Sequence, residues 1–117
     1  YGVLWDMIGD KDLNIPQEAN SVDAAPEVVT RVWDTAEELG YGKYFLKQGG
    51  YAIDDDHIPL IKAGLRVIDV IDIDYGPPAP GGGVTTNYHH TLGDTIDKIS
   101  AQSLQVVGDV AVALLRR

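Results

Sequence analysis

The sequence predicts a layered α/β fold with a mostly parallel sheet. Apolar strand-like runs alternate along the chain with segments of helical spacing, which is the pattern of such folds. The run from Leu65 to Ile73 is rich in β-branched residues, as central parallel strands are. The chain has 117 residues, enough for one modest core, so residues 1–117 are predicted to form a single domain or part of one.

The first two elements are predicted from local signals. Val3 to Ile8 is a short apolar run interrupted by Asp6, which favours a buried strand with a carboxylate near its end. Residues 10–20 are polar and show no clear period, so we expect a loop. Asp23 is then expected to cap a helix whose buried face is formed by residues at helical spacing, namely Val29, Val32, Trp33, Ala36 and Leu39.

The end of this helix and the next two elements follow from turn residues. Gly40 and Gly42 predict that the helix stops there. Residues 44–53 are predicted to be a short strand or an extended loop. Asp56 is expected to cap a short helix that ends before Gly64.

The C-terminal third is predicted to contain a long loop and a last helix. Residues 74–86 are rich in Pro and Gly and predict a loop, and residues 91–100 are irregular. Ser100 is expected to begin a helix over residues 101–115. Its predicted buried face consists of Leu104, Val107, Ala111 and Leu114.

Charge and composition exclude several classes of partner. The formal net charge is −9 with only nine Lys and Arg residues, which argues against nucleic acid and against an anionic membrane surface. There is no cysteine, so a metal ion would have to be held by His and carboxylates. No run approaches the roughly 18 apolar residues of a membrane-spanning helix. The compartment is not fixed by these observations.

The chain opens at Tyr1 inside strand-like sequence, without an initiator Met and without the pattern of a signal peptide. A native protein seldom begins within a strand. We therefore expect that upstream sequence was lost or lies on another chain.

Three candidate site residues follow strand-like segments. Asp6 ends the first run, Asp55 precedes the short helix, and His90 precedes the last irregular segment. In parallel sheets, ligands bind at the carboxyl ends of the strands. Imidazole and carboxylate are ligands that a catalytic zinc ion uses, but such a site needs three protein ligands. The sequence offers only two plausible ones, which suggests part of a metallohydrolase.

Each candidate also has a purely structural explanation. His90 with His89 can be a surface pair on a loop, and Asp55 can belong to a solvated acidic turn from Asp54 to Asp56. Asp6 is harder to dismiss, because burying a carboxylate in an apolar run is costly without a cation or hydrogen-bond donors. It can still be a hydrogen-bonded aspartate of the core.

Other motifs do not support a specific chemistry. The run Gly81 to Gly83 lacks the Lys and the helix start of a phosphate loop. The aspartates Asp69, Asp72 and Asp74 lack the Gly and the terminal Glu of a calcium loop. There is no Gly-x-Ser-x-Gly elbow for a serine nucleophile.

Three motifs in order resemble the C-terminal portion of metallopeptidase family 28, which holds zinc aminopeptidases and glutaminyl cyclases. The resemblance covers nearly the whole chain. The motifs are Leu4-Trp5-Asp6-Met7-Ile8-Gly9-Asp10, Asp55-Asp56-His57-Ile58-Pro59-Leu60, and His90-Thr91 followed by Asp94-Thr95 and Asp97-Lys98-Ile99-Ser100.

The resemblance implies a three-layer αβα domain with one or two zinc ions at the strand ends. It implies that His90 is a zinc ligand. Asp6 matches the ligand of the second zinc in two-metal aminopeptidases, or a network residue beside the general base in single-zinc cyclases. Asp55 matches a network partner that is catalytically important in the cyclases.

The resemblance also implies a substrate pocket. Ile53 and Tyr75 fall where the cyclase-like members place apolar pocket residues. His89 takes a position that is usually Trp in those members, which weakens the case for stacking on an N-terminal glutamine. The loop from Gly76 to Thr86 is longer than the family pattern leads us to expect. The sequence therefore does not define the shape of the pocket.

The family's other metal ligands and its general base would lie before Tyr1, so an incomplete domain is expected. We therefore predict the C-terminal part of a zinc-dependent, aminopeptidase-like hydrolase that acts on peptide N-termini. Its partners would be a peptide substrate and either the missing N-terminal half or a second copy of the chain. The alternatives are part of a glutaminyl-peptide cyclase, a non-catalytic module that self-associates, and an unrelated acidic α/β binding domain.

Overall fold

The computed structural model describes residues 1–76 and 87–116. Four strands and four α-helices, with one short 3₁₀ helix, make up the regular structure of this part of the chain. In order they are β1 (Gly2–Asp6), β2 (Ile15–Gln17), α1 (Ala19–Ala24), α2 (Pro26–Glu38), β3 (Phe45–Gly49), α3 (His57–Lys62), β4 (Val67–Ile71), the 3₁₀ helix (Ile96–Lys98) and α4 (Ala101–Leu115).

The strands form two parallel pairs. β1 pairs with β4 in a regular register that places Asp6 beside Ile71 at the carboxyl ends of both strands. β2 pairs with β3 and contains an irregularity between Ile15 and Gln17. The predicted α/β class with parallel strands is confirmed.

Alternation along β4 separates an apolar face from a polar one. Ile68 and Val70 are fully buried and belong to the main hydrophobic cluster. Asp69, which lies between them, points to the opposite side, because successive side chains of a strand alternate. It is also fully buried, against His57 at the start of α3. One strand thus supports both the core and a buried polar cluster.

The core is built mainly from α2, α4 and the central strands. α2 begins at Pro26, whose missing N–H costs nothing in the first turn, and it ends before Gly40, which has a φ of 87°. The Trp33 ring meets Phe45 edge-on at 5.6 Å between centroids. α4 is capped by Ser100, whose side chain accepts the N–H of Ser103 at 3.3 Å. Both long helices lie where the sequence predicts them, but Leu39, expected on the buried face of α2, lies just after the helix and is 43% exposed.

The predicted loop over residues 10–20 is wrong, because β2 and the beginning of α1 lie there. Asp23 does not cap α2: it lies within α1, and Ala25 precedes α2 without a side-chain cap. The cap of α1 is Glu18, whose side chain accepts backbone N–H groups of the first turn. Three-residue and six-residue elements are too short to show a hydrophobic period, which explains why the sequence does not reveal them.

The other element predictions need smaller corrections. β3 and α3 are where strand and helix were expected, but Asp56 makes no side-chain cap to α3. The buried face of α4 is shifted, since Leu104 is 45% exposed and Ala111 is only half-buried. The face consists of Ser103, Val106, Val107, Val110 and Leu114.

The predicted loop over residues 74–86 falls mostly outside the described residues, as does the run Gly81 to Gly83. Within residues 1–76 and 87–116, none of the helices is both long and apolar enough to cross a membrane.

A pair of adjacent leucines on α4 tests which face is packed. Leu114 is 6% exposed within the core, whereas Leu115 is 87% exposed. Leu114→Ala should lower the free energy of unfolding by about 2–5 kcal/mol, because it leaves a cavity. Leu115→Ala should change it by no more than about 0.5 kcal/mol. Urea unfolding of both variants checks the assignment, and equal losses would contradict the packing of α4.

Candidate active site

Asp6 lies at the carboxyl end of β1, where the chain turns sharply out of the sheet. The next residue, Met7, has a φ of 51°, in the left-handed region that non-glycine residues rarely adopt. Such backbone conformations concentrate at functional sites. Burial and a hydrogen bond shared with Asp55 raise the pKa of Asp6, against the opposing effects of the Met7 N–H and of His89.

The predicted site residues Asp6, Tyr75 and His89 meet at one pocket of about 170 Å³. Two further carboxylates, those of Asp10 and Asp94, also line it. Tyr75 donates its hydroxyl hydrogen bond to Asp94 at 2.7 Å, and burial together with this bond raises the pKa of Tyr75 to about 12. The pocket is therefore acidic and carries an imidazole at its mouth.

The histidine pair is held against the end of β4 by the segment before it. The side-chain amide of Asn87 donates to the carbonyl of Ile73 at 2.5 Å, and the N–H of Tyr88 donates to the carbonyl of Tyr75 at 2.6 Å. The rings of His89 and His90 lie 3.7 Å apart between centroids. His90, like Met7, is a non-glycine residue with a positive φ, of 57°. His89 lines the pocket, whereas His90 does not and contacts only the ring of His89 in this pair; both side chains are exposed.

Asp55 lies beside Asp6 and connects it to the buried polar cluster. Its carboxylate accepts the N–H of Asp56 at 2.8 Å and shares hydrogen bonds with Asp6 and Asp69. Burial alone would raise the pKa of Asp55, but these hydrogen bonds hold that pKa below its usual range. Asp55 is thus the charged acceptor between two neighbouring acids.

Behind Asp55, the cluster continues through Asp69 and His57 to Glu18. Burial, the hydrogen bond with Asp55 and the nearby negative charges raise the pKa of Asp69 to about 8, so Asp69 is largely protonated at neutral pH. The imidazole of His57 lies between two acids, with Nδ1 3.5 Å from Asp69 and Nε2 2.8 Å from Glu18. All three side chains are at most 2% exposed.

Glu18 anchors this cluster. Its carboxylate accepts hydrogen bonds from the N–H groups of Asn20 at 2.7 Å, Ser21 at 2.9 Å and Ile53 at 3.0 Å. It also accepts the Ser21 hydroxyl at 2.7 Å and contacts His57. Burial opposes ionisation, but these donors lower the pKa of Glu18 and stabilise its charge.

Comparison with known proteins places this geometry in a family. The model of peptidase family M28 matches residues 1–115. The chain belongs to that family. The prediction from the three sequence motifs is therefore confirmed, and so is the fold class, since solved structures of relatives superpose on nearly the whole chain.

Relatives of the chain include peptidases and cyclases. It is 34% identical to the aminopeptidase YwaD of Bacillus subtilis over 86 residues, which cover 70% of this chain and 17% of that protein. It is 45% identical to the Acidobacteriales bacterium glutaminyl cyclase, with a TM-score of 0.83 over 97% of this chain and 37% of that one. A Zn-dependent exopeptidase from Parabacteroides distasonis is 36% identical, with a TM-score of 0.85 over 97% of this chain and 38% of that one.

The chain thus spans well under half the length of these relatives. The described residues contain no group of three or more His, Cys, Asp or Glu side chains placed to hold a metal ion. The donors near the pocket are nevertheless those that zinc accepts, a carboxylate from Asp6 and imidazoles from the His89–His90 pair. These residues fit part of a zinc site.

Three of the predicted site residues, Ile53, Asp55 and His90, are not among the residues that line the pocket. Ile53 is half-buried and is held by its backbone, with its N–H on Glu18 and its carbonyl accepting the Asn20 amide at 3.2 Å. It is not among the residues that line the pocket. Asp56 is exposed. The role of Ile53 in substrate binding stays a prediction.

Sequence reasoning missed the buried acids, Glu18, Asp69 and Asp72. The two aspartates were considered only as part of a calcium loop. A signal was present, because both interrupt a β-branched run whose neighbours must be buried, so their carboxyl groups had to be buried as well. Glu18 gave no such signal, since it lies in a polar segment without a period.

Glu18→Gln tests the anchoring role of this carboxylate. The side-chain amide of Gln has only one oxygen to accept the N–H groups that the two carboxylate oxygens of Glu18 accept. The free energy of unfolding should therefore fall by at least about 2 kcal/mol. Glu37→Gln is a matched control, because Glu37 is 61% exposed and forms a surface ion pair with Lys47. Chemical denaturation should show a loss below about 1 kcal/mol for the control. A similar loss in both variants would contradict the proposed anchor.

Proposed function

We propose that this chain is part of a zinc-dependent hydrolase that acts on the N-termini of peptides, with Asp6 and His90 among its metal ligands. The observation that carries this proposal is that Asp6 and His89 line one pocket beside the ends of β1 and β4, with the ring of His90 in contact with that of His89. Membership of peptidase family M28 and similarity to zinc exopeptidases support it.

The residues of this chain would position the metal and the substrate. A bound zinc ion supplies a Lewis acid that polarises the scissile carbonyl. Asp6 would offer its carboxylate, and Asp55 would fix the orientation of Asp6 through their hydrogen bond. The remaining ligands and the general base would come from polypeptide outside the described residues, either from a longer form of this protein or from a second copy.

The pocket favours a substrate with a positively charged amine. Asp6, Asp10 and Asp94 line it, and no Lys or Arg is among the described residues that do so. A free N-terminal amine is the group of a peptide that such a surface attracts. Tyr75 and His89 would contact the first side chain of the substrate. Asp55, which does not line the pocket, would contribute to catalysis through Asp6.

Zinc titration of the purified chain tests the ligand assignment. His90→Ala should weaken zinc binding by more than about tenfold, because removal of a ligand costs at least as much as removal of its hydrogen-bond partner. His89→Ala is the matched comparison, and we expect a smaller loss. Competition with a chromophoric chelator measures both affinities, while unchanged thermal unfolding confirms that the variants fold.

The reverse order of losses would transfer the ligand role to His89. Unchanged zinc affinity in both variants would remove the histidine pair from the metal site and contradict the proposal.

A glutaminyl-peptide cyclase is the second candidate function. The identity of 45% to a glutaminyl cyclase and the hydrogen bond between Asp6 and Asp55 favour it. In such a reaction the substrate's own α-amine attacks its side-chain amide, and ammonia leaves. The position of His89, where an aromatic stacking residue would suit an N-terminal glutamine, favours the aminopeptidase instead.

Product analysis of a longer polypeptide that carries this sequence separates the two candidates. With an N-terminal alanyl peptide, an aminopeptidase should release free alanine, whereas a cyclase should leave the peptide intact. With an N-terminal glutaminyl peptide, a cyclase should release ammonia and lower the peptide mass accordingly. Neither product, together with a concentration-dependent dimer in sedimentation, would favour the non-catalytic module.

A further inference from the structure

A second pair of buried acids lies at the exits of β1 and β4, beside the pocket. Asp10 follows β1 and is 4% exposed, and Asp72 follows β4 and is fully buried. The carboxyl groups of the two residues are close enough to share a hydrogen bond when one of them is protonated. The pair is anchored on both sides, because Asp10 Oδ1 accepts the Asp12 N–H at 3.0 Å and Asp72 Oδ2 accepts the Asn14 N–H at 3.1 Å.

The inner oxygens of this pair have no other donor. Asp10 Oδ2 and Asp72 Oδ1 are buried and lack a hydrogen-bond donor among the described residues. Two carboxylates in contact in a buried site cannot both carry a charge without a strong repulsion. One proton between these two oxygens satisfies both of them at once.

Neighbouring charged groups do not remove the need for that proton. Asp74, just beyond the end of β4, adds negative charge next to Asp72. Within the described residues, neither Asp10 nor Asp72 forms an ion pair with Lys, Arg or His. The other ionisable groups around the pocket are Asp6, Tyr75, His89 and Asp94. Two lysines lie close to the pair, Lys11 next to Asp10 and Lys98 next to its bridge partner Ile99, but Lys98 pairs with Asp97 and the side chain of Lys11 is exposed.

We propose that Asp10 and Asp72 form a proton-dependent latch, in which one shared proton fastens the exit of β1 to the end of β4 and holds one wall of the pocket. Asp10 itself lines that wall. Its carbonyl accepts the hydroxyl of Ser103 at 2.7 Å, and its backbone pairs with Ile99. The latch therefore connects both central strands to the beginning of α4. It does not depend on zinc or on either candidate activity.

The proton makes the stability of the latch depend on pH. Burial, the hydrogen bond and the charge of Asp10 raise the pKa of Asp72 to about 9. In the unfolded chain the same carboxyl has its ordinary value of 3.8. Folding at a pH above 3.8 must therefore take up one proton. The contribution of the latch is complete in acid, falls as the pH rises from about 4, and is lost when the pH passes about 9.

The experiment compares the wild-type chain with Asp72→Asn in urea unfolding between pH 5 and pH 8.5. Asn replaces the protonated acid closely: its oxygen can accept the Asn14 N–H, and its amide can donate to Asp10. The folding constant of the wild-type chain should therefore fall about tenfold more per pH unit than that of the variant. Asp12→Asn, an exposed change in the same turn, should leave the wild-type slope unchanged.

Asp10→Asn provides a second route to the same result, because its amide can donate to Asp72. Folding of this variant should also take up one proton fewer than folding of the wild-type chain. The test therefore remains valid if Asp72→Asn does not fold. Carboxyl ¹³C shifts of the wild-type chain should show two protonated aspartic acids above pH 7, one from Asp69 and one from the latch. The latch signal should be absent from both variants and should survive in Asp69→Asn.

Equal slopes in the wild-type chain and both variants would overturn the latch. So would a stability of the wild-type chain that falls on addition of EDTA and recovers with Ca²⁺, since a cation would then replace the proton. Loss of every high-pH carboxyl signal in Asp69→Asn, with both latch variants unchanged, would assign the protons to the other acid cluster.

Discussion

The buried carboxylate of Glu18 is the interaction on which the site depends. A charged group at 2% exposure is unfavourable unless donors surround it, and here three backbone N–H groups and a hydroxyl do so, with the imidazole of His57 in contact. These groups come from α1, from the segment before α3 and from α3 itself. Glu18 thus caps a short helix and at the same time fixes the loop that carries Asp55. Because Asp55 contacts Asp6, the position of the candidate metal ligand follows from a residue far from the pocket.

Acids that favour the charged form alternate along this cluster with acids that favour the protonated form. Glu18 and Asp55 have lowered pKa values and accept hydrogen bonds, whereas Asp69 and Asp6 have raised pKa values and can donate them. Such alternation lets acids pack together without a matching number of cations. The Asp10–Asp72 pair, which borders the pocket through Asp10, uses the same principle. A net charge of −9 is therefore compatible with a compact structure, because part of the formal charge is absent from the folded chain.

The sequence was sufficient to predict the elements that show a hydrophobic period or that end at turn residues. The long helices α2 and α4 and the strands β1 and β4 were predictable, because each has enough residues to show a pattern. β2 and α1 were not, since their order comes from tertiary contacts through Glu18 and from pairing with β3. Of the pocket residues, Asp6 was indicated by its place at the end of a strand, whereas Tyr75 and His89 were named as pocket residues only through the family resemblance. Asp10, Asp69 and Asp72 were missed as parts of buried pairs, because a pair is formed by residues distant in sequence and only the fold brings them together.

Zinc-edge anomalous diffraction from crystals of the chain soaked in zinc tests the central claim most directly, namely that the buried acid cluster presents Asp6 to a cation shared with the histidine pair. The account predicts one anomalous peak within coordination distance of both the Asp6 carboxylate and the His90 imidazole, with Asp55 still hydrogen-bonded to Asp6. A peak on the histidines alone, with Asp6 turned away, would contradict it.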